Sequence, residues 1–76
     1  MKKIEMQVRV QRRRLAKTIR EERTLRGLSQ GDLAIKAGID RKTVNRIENQ
    51  HFSPQLDTIV RLASALGYRP EELIGA

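Results

Sequence analysis

Cysteine and tryptophan are absent from the 76 residues, and His51 is the single histidine. Without thiols, neither a disulfide framework nor a thiolate metal centre can hold the chain together, and one imidazole without further ligands at suitable spacing builds no zinc site. No metal and no cofactor is expected. Long apolar runs are lacking as well. Nothing approaches the roughly 20 residues of a membrane span, and Met1-Lys2-Lys3 is not followed by the apolar stretch of a signal peptide. The expectation is a soluble, cytoplasmic protein, with no membrane partner. Acidic residues are also few, 9 against 16 Lys and Arg, so the formal net charge is +7. A surplus of that sign favours a polyanion, either nucleic acid or an anionic membrane surface. No paired-carboxylate site, nucleophile beside a base or phosphate-cradling loop stands out, which argues against an enzyme. So short a chain can bury one small core, and a single folded domain is expected.

The positive charge is unevenly placed. Met1 to Arg14 carries six basic residues and one acid, while the remaining 62 residues contribute only +2. Within that remainder, Lys36 to Arg46 is locally +3 and Gln55 to Ala76 sums to −1. The body of the chain is helical in pattern and punctuated by Gly, Ser, Asp and Pro. Leu15, Ala16, Ile19 and Arg23 share one face of a first helix that breaks at Gly27. Ser29 suits the N-cap of a short second helix carrying Leu33, Ala34 and Ala37, which Gly38 ends in a left-handed backbone conformation. Asp40 can cap a third helix with Val44 and Ile47 on one side and Arg41, Lys42, Asn45 and Arg46 on others. Ser53-Pro54 reads as an N-cap followed by a first-turn proline. Leu56, Ile59, Leu62, Ala63 and Leu66 then form a buried stripe before Gly67. Pro70 opens a last short helix through Ile74, with Glu71 and Glu72 in its first turn.

The first ten residues read differently. Ile4, Met6, Val8 and Val10 alternate with Glu5, Gln7 and Arg9 at the period of a strand. Three readings stay open: a strand paired with another segment or with its copy in a dimer, a flexible arm, or an early start of the first helix near Met6. Residues 1–14 are accordingly taken as a basic N-terminal extension and residues 15–76 as the folded domain.

The second and third helices are joined by only a few residues around Gly38-Ile39-Asp40. That connection suits two helices that cross steeply, with the second exposed for the major groove of DNA. Small Ala34 would lie at the crossing. With Gly27-Leu28-Ser29-Gln30, Leu33-Ala34, Ala37-Gly38, Thr43-Val44, Arg46-Ile47-Glu48-Asn49 and Leu62-Ala63 all in register, the chain from about Leu15 to Leu73 closely resembles the XRE family of helix-turn-helix proteins, which includes phage Cro and CI-type repressors. The resemblance implies an all-α, five-helix lambda-repressor-like fold, sequence-specific binding of double-stranded DNA and a homodimer on a pseudo-palindromic operator. Gln50 stands where Gly is usual after the third helix, Ile35 is apolar at a commonly polar position, and the stretch before Leu15 has no family counterpart.

The resemblance also implies roles for residues. Arg41, Lys42 and Arg46 match base-reading positions, with guanine O6 and N7 as natural acceptors, and Asn45 can reach adenine or a phosphate. Ser29, Gln30, Thr43 and Asn49 match phosphate-contacting positions, the first two beside the amides of a helix N-terminus. Arg23 and Glu48 correspond to a partly buried structural ion pair. His51 reads as a loop polar residue or phosphate neighbour, and Tyr68 as a cap on the core or a dimer contact. The expected function is a transcriptional regulator, in first place a repressor. The alternative is an antitoxin that autoregulates its operon and binds a toxin through an exposed apolar surface such as Ile35 or the N-terminal segment. A membrane-surface or scaffolding module using the basic N-terminus is a further rival.

Overall fold

In a computed structural model that describes residues 2–74, five helices follow one another: α1 (Lys2–Leu25), α2 (Gln30–Ala37), α3 (Arg41–Glu48), α4 (Leu56–Leu66) and α5 (Pro70–Ile74). The described residues contain no strand. The strand and arm readings of the N-terminus are therefore corrected. The early helix start is what occurs, at Lys2 rather than near Met6. An isolated strand leaves its backbone groups unpaired, whereas a helix satisfies them internally, and no Gly or Pro interrupts the chain from Lys2 to Leu25. On a helix the alternating apolar residues resolve into two seams. Ile4 and Val8 lie one turn apart and continue toward Leu15 and Ile19, while Met6 and Val10 form a separate, exposed seam. At about 1.5 Å per residue, α1 is about 36 Å long, which accounts for the 37 Å long axis of the molecule.

The other helices begin and end through local chemistry. Ser29 caps α2: its hydroxyl accepts the Asp32 N–H at 3.0 Å while the Asp32 carboxylate accepts the Ser29 N–H at 2.9 Å. These bonds hold the Asp32 carboxyl below its ordinary range, the Ser29 backbone bond contributing most. Asp40 occupies the N-cap position of α3, but its carboxylate makes no capping bond. Ser53 is not the cap of α4. That helix starts two residues beyond Pro54, with Gln55 at the N-cap, and the Ser53 hydroxyl instead accepts Arg12 Nε of α1 at 3.0 Å. The later start leaves Leu56 outside the buried stripe, 70% exposed. At α5, the Glu72 carboxylate accepts the Arg69 N–H at 2.8 Å.

The core lies where α1, α2, α3 and α4 converge, with Leu73 of α5 closing one end. Ile19, Leu33, Val44, Ile47, Leu62 and Leu66 are fully buried, each contributing about 1.5–3 kcal/mol by removal from water. Ala34 and Ala63 let the helices approach at their crossings. Tyr68 is half-buried against the core, and the Arg26 guanidinium sits 5.9 Å from its ring centre. Arg26 also donates to the Leu66 carbonyl at 2.6 Å, tying the end of α1 to the end of α4.

Candidate nucleic-acid interface

The geometry of this surface starts with the turn between α2 and α3. Gly38 has φ +69°, and the Gly38 and Ile39 amides bond back to Ile35 and Ala34 at 3.2 and 2.9 Å. This closure satisfies the last carbonyls of α2 and redirects the chain within two residues. A left-handed residue with a Cβ is strained there, and the added atom would also meet the Arg61 guanidinium at 3.3 Å. Asp40 then starts α3, whose Val44 and Ile47 seat it on the core and whose opposite face is turned to solvent.

On that outer face Arg41, Lys42, Asn45 and Arg46 are exposed and line one concave surface together with half-buried Gln30 at the start of α2. Asn49, exposed, continues the face at the end of α3. Thr43 is half-buried and does not line the concavity. Ser29 is exposed beside Gln30, and its hydroxyl oxygen is engaged in capping α2. His51 is exposed in the loop that follows.

Beneath this face lies a buried carboxylate. The Glu48 side chain is 0% exposed and accepts Arg23 Nε at 2.7 Å and Arg23 Nη2 at 3.0 Å, a two-pronged pair with a guanidinium that is itself only 13% exposed. Arg23 spends its remaining nitrogen on the Leu28 carbonyl at 2.8 Å. Glu48 also accepts Arg20 Nε at 3.4 Å and Gln30 Nε2 at 3.2 Å. Burial pushes the Glu48 carboxyl up, but the hydrogen bonds from Arg23, Gln30 and Arg20 outweigh it, and the net position is below the ordinary glutamate value. None of the described buried side-chain nitrogens or oxygens lacks a partner.

The hydrogen bonds continue outward from Glu48. Gln30 donates to it and accepts Asn45 Nδ2 at 3.2 Å, and Asn45 in turn accepts Asn49 Nδ2 at 3.0 Å. Residues to which the sequence assigns separate tasks are thus one connected chain from the buried ion pair to the exposed face. Sequence reasoning missed this relay and missed Arg20, although Arg20 stands three residues before Arg23 on the same side of α1, a spacing that brings both to one carboxylate.

The turn after α3 shows the same closure as the turns after α1, α2 and α4, but with Gln50 in the left-handed position at φ +62°. The Gln50 and His51 amides bond back to Ile47 and Arg46, each at 3.0 Å. Replacing Gln50 by Gly relieves a strain of about 1–2 kcal/mol, less the greater freedom that Gly has in the unfolded chain. A thermal melt should show Gln50→Gly some 2–6 °C above the wild type, since about 1 kcal/mol moves a domain of this size by about 4–8 °C. A lower melting temperature would mean that the Gln50 side chain contributes more to the fold than its backbone costs.

The helix-turn-helix family model matches residues 19–73. This chain belongs to the XRE family of helix-turn-helix domains. It is 43% identical over 49 residues to an uncharacterized HTH-type transcriptional regulator of Methanothermobacter thermautotrophicus, covering 64% of this chain and 71% of that protein. A second such regulator, of Methanocaldococcus jannaschii, is 35% identical over 51 residues, 67% of this chain and 77% of the relative. Among solved structures, a hypothetical transcription factor from Neisseria superposes with a TM-score of 0.78 at 35% identity, covering 83% of this chain and 72% of that one. A restriction-modification controller protein from Aeromonas hydrophila superposes at 0.76 with 39% identity, covering 82% and 94%. The helix-turn-helix domain accordingly consists of α2 and α3 on a five-helix all-α scaffold, and as a member of a double-stranded DNA-binding, transcription-regulating family it is not an enzyme. Among the described residues, no group of three or more His, Cys, Asp or Glu side chains is placed to hold a metal, and no helix is long and apolar enough to cross a membrane.

Proposed function

We propose that this helix-turn-helix domain is a sequence-specific repressor that binds a pseudo-palindromic operator as a homodimer in the cytoplasm. The observation that carries the reading is the single concave surface shared by Gln30, Arg41, Lys42, Asn45 and Arg46. It joins three cationic donors suited to guanine edges to an amide-bearing residue at a helix start suited to a phosphate. Arg41, Lys42, Asn45 and Arg46 read bases from the major groove. Ser29, Gln30, Thr43 and Asn49 hold phosphates, and the Arg23–Glu48 pair beneath keeps the reading helix in place. Likeness to the Aeromonas restriction-modification controller protein, of which the match covers 94%, supports the regulator reading.

The dimer contact is assigned to α4 and α5. Exposed Leu56 and Val60 of α4 and Ile74 of α5 are apolar and lie in the least basic third of the chain. Ile4 and Val8 of α1 border the same region, in a shallow groove with Pro54, Ile59 and Ile74. A second copy buries such a surface in the isologous manner of twofold dimers. The antitoxin alternative has less support at Ile35 than at the N-terminal segment, where Met6 and Val10 stay exposed while Ile4 and Val8 border the proposed dimer contact. Ile35 is 83% exposed, but it stands singly on α2, and an isolated surface isoleucine needs no partner to explain it.

Selection of bound sites from random duplexes tests the reading. The recovered sites should contain inverted half-sites with centres about 10 base pairs apart or a multiple of that spacing, which places both reading helices on one face of the DNA. Sites without an inverted repeat, together with one protein per duplex in sedimentation, would remove the dimeric operator.

A further inference from the structure

The N-terminal half of α1 lies outside the matched residues 19–73, yet its arginines are ordered with respect to α3. Arg9, Arg13 and Arg20 are spaced so as to fall in one row along α1, with Lys17 beside it. The row runs into the turn that follows α3. Arg9, Arg12 and Arg13 surround one concavity with Gln50, and Arg13, Lys17 and Arg20 line the next with Glu21, Glu48 and Gln50. Arg9, Arg13 and Lys17 are exposed, and among the described residues none of them is in a salt bridge. Arg20 remains 57% exposed beside Glu48. Arg12 is anchored by its bond to Ser53, so the helix is fixed to the loop on this side. Glu48 and Glu21 border the Arg20 end of the row, whereas only cations and Gln50 surround the concavity at Arg9 and Arg13, where gathered like charges weaken a fold rather than support it.

Gln50 is the second observation. It holds a left-handed backbone where α1, α2 and α4 are each followed by a glycine, and its exposed side chain stands among these arginines. Strain retained at an exposed position points to a use for the side chain.

We propose that the Arg9–Arg13–Arg20 row, with Lys17 and Gln50, is a second phosphate-binding surface that grips the DNA backbone beyond the base pairs met by α3. The inference rests on the assignment of α3 as the reading helix. Gln50 directly follows Asn49 at the end of α3, so the row begins where the reading face stops. From Arg9 to Arg20 it extends about 16 Å along the helix axis, comparable to about five base pairs at about 3.4 Å each. The positive charge of α1 is then explained by its partner. A bilayer would gain nothing from a strained polar Gln50 in the midst of the row.

The test uses the full chain and a selected site carried on a long duplex, with flanks of about 10 base pairs on each side. Arg9 and Arg13 are exposed and bond to nothing described, so Arg9→Ala/Arg13→Ala folds as the wild type does, which circular dichroism verifies. On the long duplex the double variant should bind on the order of tenfold more weakly, equally for selected and random sequence, with the log K against log salt slope smaller in magnitude by about two. Gln50→Gly should lose affinity on the long duplex while melting higher. Unchanged affinity and salt slope on the long duplex, with Arg46→Ala still impaired on the selected site, would overturn the second surface and leave α3 as the reading helix. Loss of binding to phosphatidylserine vesicles by the double variant, with DNA binding intact, would also overturn it and assign the row to a membrane. A wild-type chain that bound no duplex would instead overturn the reading of α3 itself.

Discussion

An Arg23→Ala protein should be less stable than the wild type by about 3–5 kcal/mol, because it strands a carboxylate with no exposure to solvent. The loss comes from geometry. Two bonds of 2.7 and 3.0 Å vanish, and Glu48 is left with Arg20 at 3.4 Å and Gln30 at 3.2 Å, neither of which neutralises a buried charge as the paired guanidinium does. A domain of 76 residues has about 4–11 kcal/mol of total stability. The variant is therefore expected to melt at least 12 °C lower, at about 4–8 °C per kcal/mol, and to be partly unfolded at 37 °C. Denaturant titration of Arg23→Ala, Glu48→Ala and the double variant checks this: the double loss should fall well short of the sum of the single ones. A melting temperature for Arg23→Ala within a few degrees of the wild type would show that water reaches Glu48.

The same pair contributes to the acid sensitivity of the fold. Glu48 and capping Asp32 both have carboxyls depressed in the folded state, so between the folded and unfolded values the unfolded chain binds more protons and stability rises with pH. Their contribution is complete above the ordinary carboxylate range and is lost as pH falls through the lower folded values. A Glu48→Gln variant should show a flatter decline over that window.

Loss of reading is the second large expected effect. Arg41→Ala and Arg46→Ala should each cost on the order of 1–3 kcal/mol on the selected operator, about 5- to 150-fold, with a much smaller loss on random duplex. Each arginine is exposed on the outer face of α3 and lines the concavity, and neither forms a salt bridge among the described residues. Their removal therefore leaves the core undisturbed, and what it subtracts is the proposed DNA contact. Gln30→Ala and Asn49→Ala should weaken all sequences alike. Gln30→Ala carries an added cost, since Gln30 bonds both Glu48 and Asn45 and links the exposed face of α3 to the buried ion pair. Parallel titrations of operator and random duplex at several salt concentrations separate these outcomes. Should both arginine variants only shift the salt slope by about one and keep their sequence preference, the two arginines would be phosphate contacts.

Much of the molecule was legible because the signals are local. Gly27, Gly38 and Gly67 mark helix ends since a glycine accepts the left-handed closing residue without strain, and Ser29 with Asp32 writes the start of α2 within four positions. The apolar spacing of Leu33, Val44, Ile47 and Leu62 likewise specifies which helix faces are buried. Where local pattern and long-range contact compete, sequence alone was insufficient. Alternation in Ile4 to Val10 is equally compatible with strand and helix, and continuity with the helix seated on the core at Leu15 and Ile19 selected the helix. Ser53-Pro54 has the form of a cap, but the Ser53 hydroxyl is taken by Arg12, 41 residues away. Glu48 shows the division most clearly. By local pattern a charged residue on a basic helix looks like any solvated side chain; the family resemblance pairs it with Arg23, and the packing of α1 and α2 against α3 removes it from water and adds Arg20 and Gln30. Local chemistry, then, determined the helices and their exposed basic face. Tertiary packing decided which charges are buried together and which remain free for a partner, because desolvation depends on neighbours that no short stretch of chain contains.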